Sequence, residues 1–232
     1  MTGLPASGGA EAARNKRERN MDIVQQTIRT YDTIAPQYCR KTRQRLDILE
    51  WEEEYIRRLL SHISVSDPLI LDVGCADGRH CLLIEKNGGT VIGIDLSEGM
   101  LKEARAYYPD CEYRNMDMRS LLFEDSFFDG IWVSGSVYHV AKSDVRGVIN
   151  EFARVLKPDG VVAVNFKLGK GEGLEENPKS YGGSPRYFAY YTEQEMRDMF
   201  EGSGFQVLES CRFPEEIFEA VIPQMWFRLQ DT

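Results

Sequence analysis

Short apolar runs alternate with amphipathic segments over most of the chain from residue 68 onwards. The runs have the length of buried strands, and the segments between them repeat their apolar positions at helical spacing. Because strands that alternate with helices pair in parallel through right-handed crossovers, the pattern predicts a parallel sheet with helices on both faces. We find no helix-length crossover before the final strand, which is therefore expected to run antiparallel. The predicted strands are PLILDV, TVIGID, CEYRN, DGIWVSG, GVVAVNF, FQVLESCRF and MWFRLQ.

The pattern before the sheet is helical. Residues 21–62 carry apolar stripes at helical spacing, and we expect a break at Ala35-Pro36 because proline disfavours helix in the residue before it. Residues 1–20 are small, polar and then basic, so a disordered leader is expected there. The rest, residues 21–232, is predicted to form a single domain. Its predicted parts are a helical segment (21–62), a ligand-binding core (68–167), a glycine-rich mobile segment (168–191) and a C-terminal helix with edge strands (192–232).

Composition and charge narrow the classes of function. The chain has 232 residues and a net charge of −9, which disfavours a broad nucleic-acid interface without excluding a local basic patch. Its five cysteines form neither a CxxC pair nor a Cys/His cluster at zinc-ligand spacing. We therefore expect no metal site and a cytoplasmic location. No apolar stretch is as long as the ~18 residues of a membrane-spanning helix, so no membrane span is expected.

The segment LILDVGCADGRH holds the first candidate chemistry. Residues 74–78 follow the first predicted strand, and ligands of open parallel sheets bind beyond the carboxyl ends of the strands. Small residues there allow the backbone to approach a ligand, and the next helix offers free N–H groups. Asp95 ends the second strand, where a carboxylate can accept hydrogen bonds from both hydroxyls of a ribose. Asp117 and Met118 follow the third strand, so the spacing predicts a nucleoside site.

Other nucleotide ligands fit this loop less well. A dinucleotide fingerprint would have glycine at three positions that hold Gly74, Ala76 and Arg79 here. The Gly-Lys-Ser/Thr of a P-loop is missing, and Asp72 and Asp77 would repel phosphates. A ligand with a ribose, an adenine and a cationic end is favoured. Alanine at position 76 is expected to cost little if its φ is negative.

Four segments resemble the successive motifs of class I S-adenosylmethionine-dependent methyltransferases: ILDVGCADG, VIGIDLSEGML, NMDMRSLLFEDSFFDGIWVSGSVYHV and EFARVLKPDGVVAVNF. The resemblance covers residues 68–167, with Ala76 in place of the middle glycine of the family's loop. It implies a doubly wound, mostly parallel seven-stranded sheet with an antiparallel last strand and an N-terminal helical lid. It also implies S-adenosylmethionine as methyl donor, S-adenosylhomocysteine as product and no metal. The implied cofactor-binding residues are Asp72, Gly74, Cys75, Ala76, Gly78, Asp95, Leu96, Met100, Asp117, Met118 and Ser134. The segment TYDTIAPQYCRKTR resembles the lid helix of such enzymes and adds Tyr31 and Tyr38, which packing on an apolar helical stripe explains equally well.

Candidates for the acceptor side follow the fourth and fifth strands. Direct in-line methyl transfer needs positioning and, for some acceptors, a base. Tyr138 and His139 are the candidate catalytic residues, and His139 is either a general base or a structural residue. The segment RYFAYYTEQEM resembles one that such families carry after the fifth strand. It makes Arg186, Tyr187 and Tyr190 candidate acceptor contacts, although core packing also explains its aromatic residues.

Three functions remain open at this point. A methyltransferase acting on a small-molecule acceptor is favoured. A tRNA wobble-uridine methyltransferase is the second hypothesis, because the lid and the RYFAYY segment resemble that group as well. A catalytically silent cofactor-binding protein is the third, with Ala76 as its support. Neither the acceptor, the methylated atom nor the oligomeric state follows from the sequence.

Overall fold

The computed structural model describes residues 7–176, 183–213 and 221–230, with side chains from Ile23 onwards except at position 47. The helices are α1 (Ser7–Arg43), α2 (Leu46–Ser61), α3 (Arg79–Lys86), α4 (Glu98–Tyr107), α5 (Lys142–Val155) and α6 (Glu193–Glu201). The strands are β1 (Leu69–Val73), β2 (Thr90–Asp95), β3 (Glu112–Asn115), β4 (Phe128–Val133), β5 (Leu156–Asn165), β6 (Lys167–Leu168), β7 (Glu172–Glu175), β8 (Arg186–Tyr191), β9 (Phe205–Arg212) and β10 (Pro223–Leu229).

Seven strands form the central sheet in the order β3-β2-β1-β4-β5-β10-β9. Strands β1 to β5 pair in parallel, whereas β10 runs antiparallel to both of its neighbours. The mostly parallel sheet with an antiparallel last strand is therefore confirmed, as are the helices at the N-terminus. The chain moves outwards from β1 to β3 and then returns to β4 on the other side of β1. This reversal separates the loops after β1 and β4 and leaves a crevice between them.

Alternate residues of the central strands enter two separate cores. Leu71 of β1 packs with α5 and α6 on one face, through side chains such as Ile149 and Phe200. Ile70 and Trp132 point to the other face, which α2, α3 and α4 cover. The near-continuous apolar composition of these strands follows from burial on both faces.

Helix α1 differs from the sequence-based expectation in two ways. It is one helix of 37 residues that contains Pro36, so the break expected at Ala35-Pro36 is wrong. Proline removes one helical N–H, whose acceptor would be the carbonyl of Asp32. That carbonyl packs against Gly99 of α4 instead, where an added Cβ would lie 2.9 Å from the oxygen. Contact with α4 thus supports the helix at the point that proline weakens.

The disordered leader expected for residues 1–20 is also corrected. Helix α1 begins at Ser7, because this part of the chain holds good helix formers such as alanine, glutamate, lysine and arginine. Residues 1–6 lie outside the described residues.

A small second sheet lies beside the first. Its order is β6-β8-β7, with β6 parallel and β7 antiparallel to β8. Helix α1 is fastened to its β8 side, since Thr30 Oγ1 donates to the carbonyl of Pro185 (2.7 Å) and Thr27 Oγ1 accepts from the amide of Tyr187 (3.2 Å). The mobility expected for residues 168–191 stays a prediction, and residues 177–182 lie outside the described residues.

Candidate functional site

The loop between β1 and α3 adopts left-handed backbone conformations. Gly74 has a φ of 74° and Gly78 a φ of 77°. A Cβ at Gly74 would lie 2.3 Å from the Cβ of Ser136, and one at Gly78 would lie 2.3 Å from the Tyr113 hydroxyl. Ala76 has a φ of 47°, so the condition under which alanine would cost little is not met. A residue with a Cβ costs about 1–2 kcal/mol in this region of backbone space.

Backbone N–H groups hold the carboxylate of Asp95 at the end of β2. The amide of Ala76 donates to Oδ2 (3.0 Å) and the amide of Ser97 donates to Oδ1 (2.8 Å). Burial raises the pKa of Asp95 to about 6, against the opposing effect of these two donors. Each carboxylate oxygen can accept a second hydrogen bond, so the group can still receive a diol.

Asp32 of α1 fastens the N-terminal helix to the start of α4. Its Oδ1 accepts from Ser97 Oγ (2.7 Å) and from the amide of Gly99 (2.9 Å). Ser97 Oγ in turn accepts from the amide of Met100 (3.1 Å), as an N-cap residue does. The turn that follows Asp95 is thus capped by its own chain segment and by α1 together.

One cavity lies beyond the carboxyl ends of β1, β2 and β4. Most of the residues predicted to bind the cofactor, and both candidate catalytic residues, line it. These are Tyr31, Tyr38, Gly74, Cys75, Ala76, Asp95, Leu96, Met100, Asp117, Met118, Ser134, Tyr138 and His139. The structure therefore brings together residues from α1, the glycine loop and the ends of three strands.

Asp72 and Gly78 were also predicted to bind the cofactor, but neither lines this cavity. Asp72 is fully buried beneath the loop, with Cys81 Sγ 3.4 Å from its Oδ2. Its Oδ1 has no hydrogen-bond partner among the described residues, and burial raises its pKa. The predicted contact of Asp72 with the cofactor stays a prediction.

Arg119 holds the carboxylate of Asp117. Its Nε lies 3.0 Å from both carboxylate oxygens, and its Nη2 lies 2.6 Å from Oδ2. Arg119 also lines the cavity, in addition to the residues predicted from the sequence. A basic residue two positions after an acid at a strand end is the signal that could have indicated the pair.

Sequence reasoning also missed a buried ionic cluster at the far wall of the cavity. Glu52 of α2 accepts from Arg79 (3.0 and 3.1 Å), and His80 Nε2 lies 3.1 Å from the same carboxylate. Burial alone would raise the pKa of Glu52, but Arg79 and His80 hold it below the usual value. The cluster joins α2 to the first turn of α3, directly after the glycine loop.

His139 links helix α1 to β8. Its Nδ1 donates to the carbonyl of Tyr187 (2.6 Å), which can only accept, so Nε2 is the unprotonated nitrogen. The Tyr31 hydroxyl donates to that Nε2 (2.8 Å). Burial lowers the pKa of His139 to about 3 and raises that of Tyr31 above its ordinary value. At neutral pH the imidazole is uncharged and its lone pair is occupied.

The candidate acceptor contacts on β8 lie on opposite faces of the strand. Tyr187 points into the core, and its hydroxyl donates to Glu172. Arg186 points the other way, with its guanidinium carbon 5.9 Å from the centre of the Tyr31 ring. Tyr190 shares that face and donates to Glu175 Oε1 (2.6 Å). None of the three candidates lines the cavity. Tyr187 is the least suited to contact an acceptor, because alternate residues of a strand point to opposite faces and its ring points into the core.

The family profile described as methyltransferase domain matches residues 70–160. A ubiquinone/menaquinone biosynthesis C-methyltransferase of Campylobacter jejuni is 29% identical over 157 residues, which cover 62% of this chain and 64% of the relative. The chain therefore spans a little under two thirds of the length of that relative.

Two solved structures have a similar fold. A methyltransferase from Methanosarcina mazei gives a TM-score of 0.67 at 19% identity, covering 75% of this chain and 97% of its own. A 1,6-didemethyltoxoflavin-N1-methyltransferase from Burkholderia thailandensis, solved with 1,6-didemethyltoxoflavin and S-adenosylhomocysteine, gives 0.68 at 17% identity and covers 100% and 94%. Within the described ranges, no helix is both long and apolar enough to span a membrane.

Proposed function

We propose that this chain, a member of the class I S-adenosylmethionine-dependent methyltransferases, transfers a methyl group from S-adenosylmethionine to a small-molecule acceptor by direct in-line displacement. The observation that carries the proposal is Asp95, whose carboxylate is held by two backbone amides at the edge of a cavity between β1 and β4. In an open parallel sheet this is where a carboxylate meets the hydroxyls of a ribose.

The residues around Asp95 fit the rest of this cofactor. Leu96 and Met118 offer apolar walls to an adenine, and Asp117 offers an acceptor to its amine. Asp72 Oδ1 has no hydrogen-bond partner within the described ranges, which supports a role at the amino-acid end together with the loop backbone. In our proposal the complete cofactor set is Asp72, Gly74, Cys75, Ala76, Gly78, Asp95, Leu96, Met100, Asp117, Met118 and Ser134, with Tyr31 and Tyr38 covering the site. When bound, the cofactor supplies an electrophilic methyl group on a sulfonium, so no metal is needed.

His139 is better suited to positioning than to proton transfer. A general base works best with a pKa near the operating pH, whereas burial lowers the pKa of His139 to about 3. Its Nε2 already accepts from Tyr31, so we propose that His139 holds the lid helix against β8. Tyr138 is half-buried, and desolvation raises the pKa of its hydroxyl, so it remains a neutral donor that can orient the acceptor.

A cytoplasmic location is part of the proposal. All five cysteines are free thiols, and Cys39, Cys75, Cys81 and Cys111 are buried. Unpaired cysteines are typical of reducing compartments. The net charge of −9 continues to favour a small-molecule acceptor over tRNA.

Calorimetry with S-adenosylmethionine and S-adenosylhomocysteine tests the proposal. The wild-type chain is expected to bind both, and Asp95→Ala is expected to bind them about 10- to 100-fold more weakly, because hydrogen bonds to a charged group are lost. Asp110→Ala, which removes an exposed carboxylate elsewhere, is the matched control and should bind as the wild type does. Absence of binding to the wild type would refute the function. Equal binding by Asp95→Ala would refute the ribose assignment alone.

A further inference from the structure

Arg119 holds the carboxylate of Asp117 with three N–H groups at the edge of the cavity. Its backbone amide donates to Oδ1 (2.9 Å), its Nε lies 3.0 Å from both oxygens, and its Nη2 donates to Oδ2 (2.6 Å). An ionised carboxylate offers about four lone-pair positions. Within the described ranges the donors to this carboxylate all belong to Arg119, so one acceptor position stays open.

The guanidinium of Arg119 is held from a second element as well. Arg119 follows β3, and its Nη1 lies 3.9 Å from Oδ2 of Asp144 in the first turn of α5. The hydrogen bonds to Asp117 raise the pKa of Arg119, so the guanidinium stays charged. Because a bidentate pair fixes geometry as well as charge, the orientation of the Asp117 carboxylate is set by a planar group that two acids hold in place.

This pair lies beside the surface proposed for the purine of the cofactor. Leu96, Asp117, Met118 and Arg119 all line the cavity. The exocyclic amine of an adenine can donate to the open position of Asp117. A 6-oxopurine has a carbonyl oxygen in place of that amine, and its N–H is on the neighbouring ring nitrogen. A carboxylate that can turn follows this N–H, whereas a fixed one faces the carbonyl oxygen with no hydrogen between the two acceptors.

We propose that Arg119 makes the site selective for adenine over 6-oxopurines, by holding Asp117 so that its open position accepts only from an exocyclic amine. This inference rests on the proposed function, in which Asp117 faces the adenine of the cofactor. Arg119 acts through Asp117 and is therefore a positioning residue. Arginine suits this role better than lysine, because its planar fork fixes a carboxylate at two points whereas an ammonium is a point charge.

Calorimetry with S-adenosylhomocysteine and S-inosylhomocysteine, in which hypoxanthine replaces adenine, tests this assignment. The wild type is expected to bind the adenine ligand about tenfold or more tightly than the 6-oxopurine ligand. Arg119→Met should lose most of this preference, because Asp117 can then turn to the ring N–H. Arg119→Lys keeps the charge without the fork and should restore only part of it. Arg105→Met, which breaks an exposed ion pair with Glu98 on α4, is the matched control and should keep the preference of the wild type.

The outcomes separate this inference from the function on which it rests. Failure of the wild type to bind S-adenosylhomocysteine would refute the proposed function. If it binds, then equal affinity of the wild type for the two purines would overturn the inference. An equal loss of both affinities in Arg119→Met would also overturn it, because a merely structural role lowers both and leaves their ratio unchanged. Since each ratio compares two ligands on the same chain, it does not depend on the folded fraction of a variant.

Discussion

The two ends of the cavity are built from different kinds of contact. The end around Asp95 is the one proposed to bind the nucleoside, and we call it the nucleoside end. Backbone amides hold Asp95 there, and its partner Ala76 is only 19 residues away in sequence. The end around His139 is the one proposed to face the acceptor, and we call it the acceptor end. Side chains from distant elements contact one another there. Tyr31 and His139 are 108 residues apart, and His139 reaches the Tyr187 carbonyl 48 residues further on.

This difference separates local from assembled structure. The end that holds Asp95 depends on the backbone of two neighbouring segments, the β1–α3 loop and the turn after β2, so substitutions there should act through the backbone. The acceptor end exists only when α1, the turn after β4 and β8 are packed together. Substitutions there should act through tertiary contacts and through the charges that packing buries.

Gly74→Ala should have the largest effect, because it adds a side chain to a left-handed backbone position at the nucleoside end. A Cβ at φ 74° is strained and would lie 2.3 Å from that of Ser136, whose Oγ is anchored to the Val73 carbonyl. We expect a loss of about 3 kcal/mol in the free energy of unfolding and a matching loss of cofactor affinity. Urea denaturation and calorimetry measure the two effects.

Gly147→Ala is the control for that substitution. Gly147 lies in α5 with open space around its missing side chain, so alanine should stabilise the chain by about 0.5–1 kcal/mol. Equal changes in the free energy of unfolding for Gly74→Ala and Gly147→Ala would show that the loop backbone tolerates a side chain.

The acceptor end should instead show a pH dependence that comes from His139. In the folded chain burial lowers the pKa of His139 to about 3, whereas an exposed imidazole has a pKa of about 6.5. Protons therefore favour the unfolded chain between these values. The contribution of neutral His139 to the free energy of unfolding is complete above pH ~6.5 and is lost as pH falls towards 3. About 2 kcal/mol of it is lost between pH 7 and pH 5.

Comparison with His139→Gln isolates this effect. The variant does not titrate, so the stability of the wild type should fall relative to it by about 2 kcal/mol over the same interval. Asp95, whose pKa burial raises to about 6, acts in the opposite direction, but it is present in both chains and cancels. Denaturation curves at several pH values measure the free energies of unfolding of the two chains. A difference between them that does not change with pH would contradict the prediction.

Ala76→Gly should have the smallest effect and the opposite sign. Glycine relieves the strain at φ 47° but leaves a more flexible unfolded chain, so we expect a net gain of about 0.5 kcal/mol in stability. Ala153→Gly, in the regular helix α5, should lose about 1 kcal/mol. Thermal unfolding of both variants checks the contrast, and a loss at position 76 would mean that its strain is balanced elsewhere.

Local sequence patterns predicted most of the fold and the nucleoside end. The seven strands were recognisable because each is an apolar run between helical segments, and the antiparallel last strand followed from the lack of a crossover. Asp95 and Asp117 could be placed at one edge because parallel strands end there together. The family resemblance then supplied the expected roles, which stay predictions.

The remaining features depend on contacts that the sequence does not display. Pro36 is tolerated in α1 because the Asp32 carbonyl, which loses its helical donor, packs against Gly99 of α4, 67 residues away from Asp32. The RYFAYY segment predicts an aromatic wall that includes Tyr187, whereas the alternation of β8 turns the Tyr187 ring into the core. The small second sheet likewise forms only through the pairing of β6 and β7 with β8.

The contact between Asp32 and the start of α4 links three positions that must be inherited together. A side chain at Gly99 would meet the backbone of Asp32 at 2.8 Å, so a glycine there is required as long as α1 lies where it does. Pro36 leaves the Asp32 carbonyl without its helical donor, and the Asp32 carboxylate caps the facing turn. In homologues, a larger residue at the position of Gly99 should accompany the loss of this aspartate and this proline, and such chains should carry their N-terminal helix at a different place on the surface.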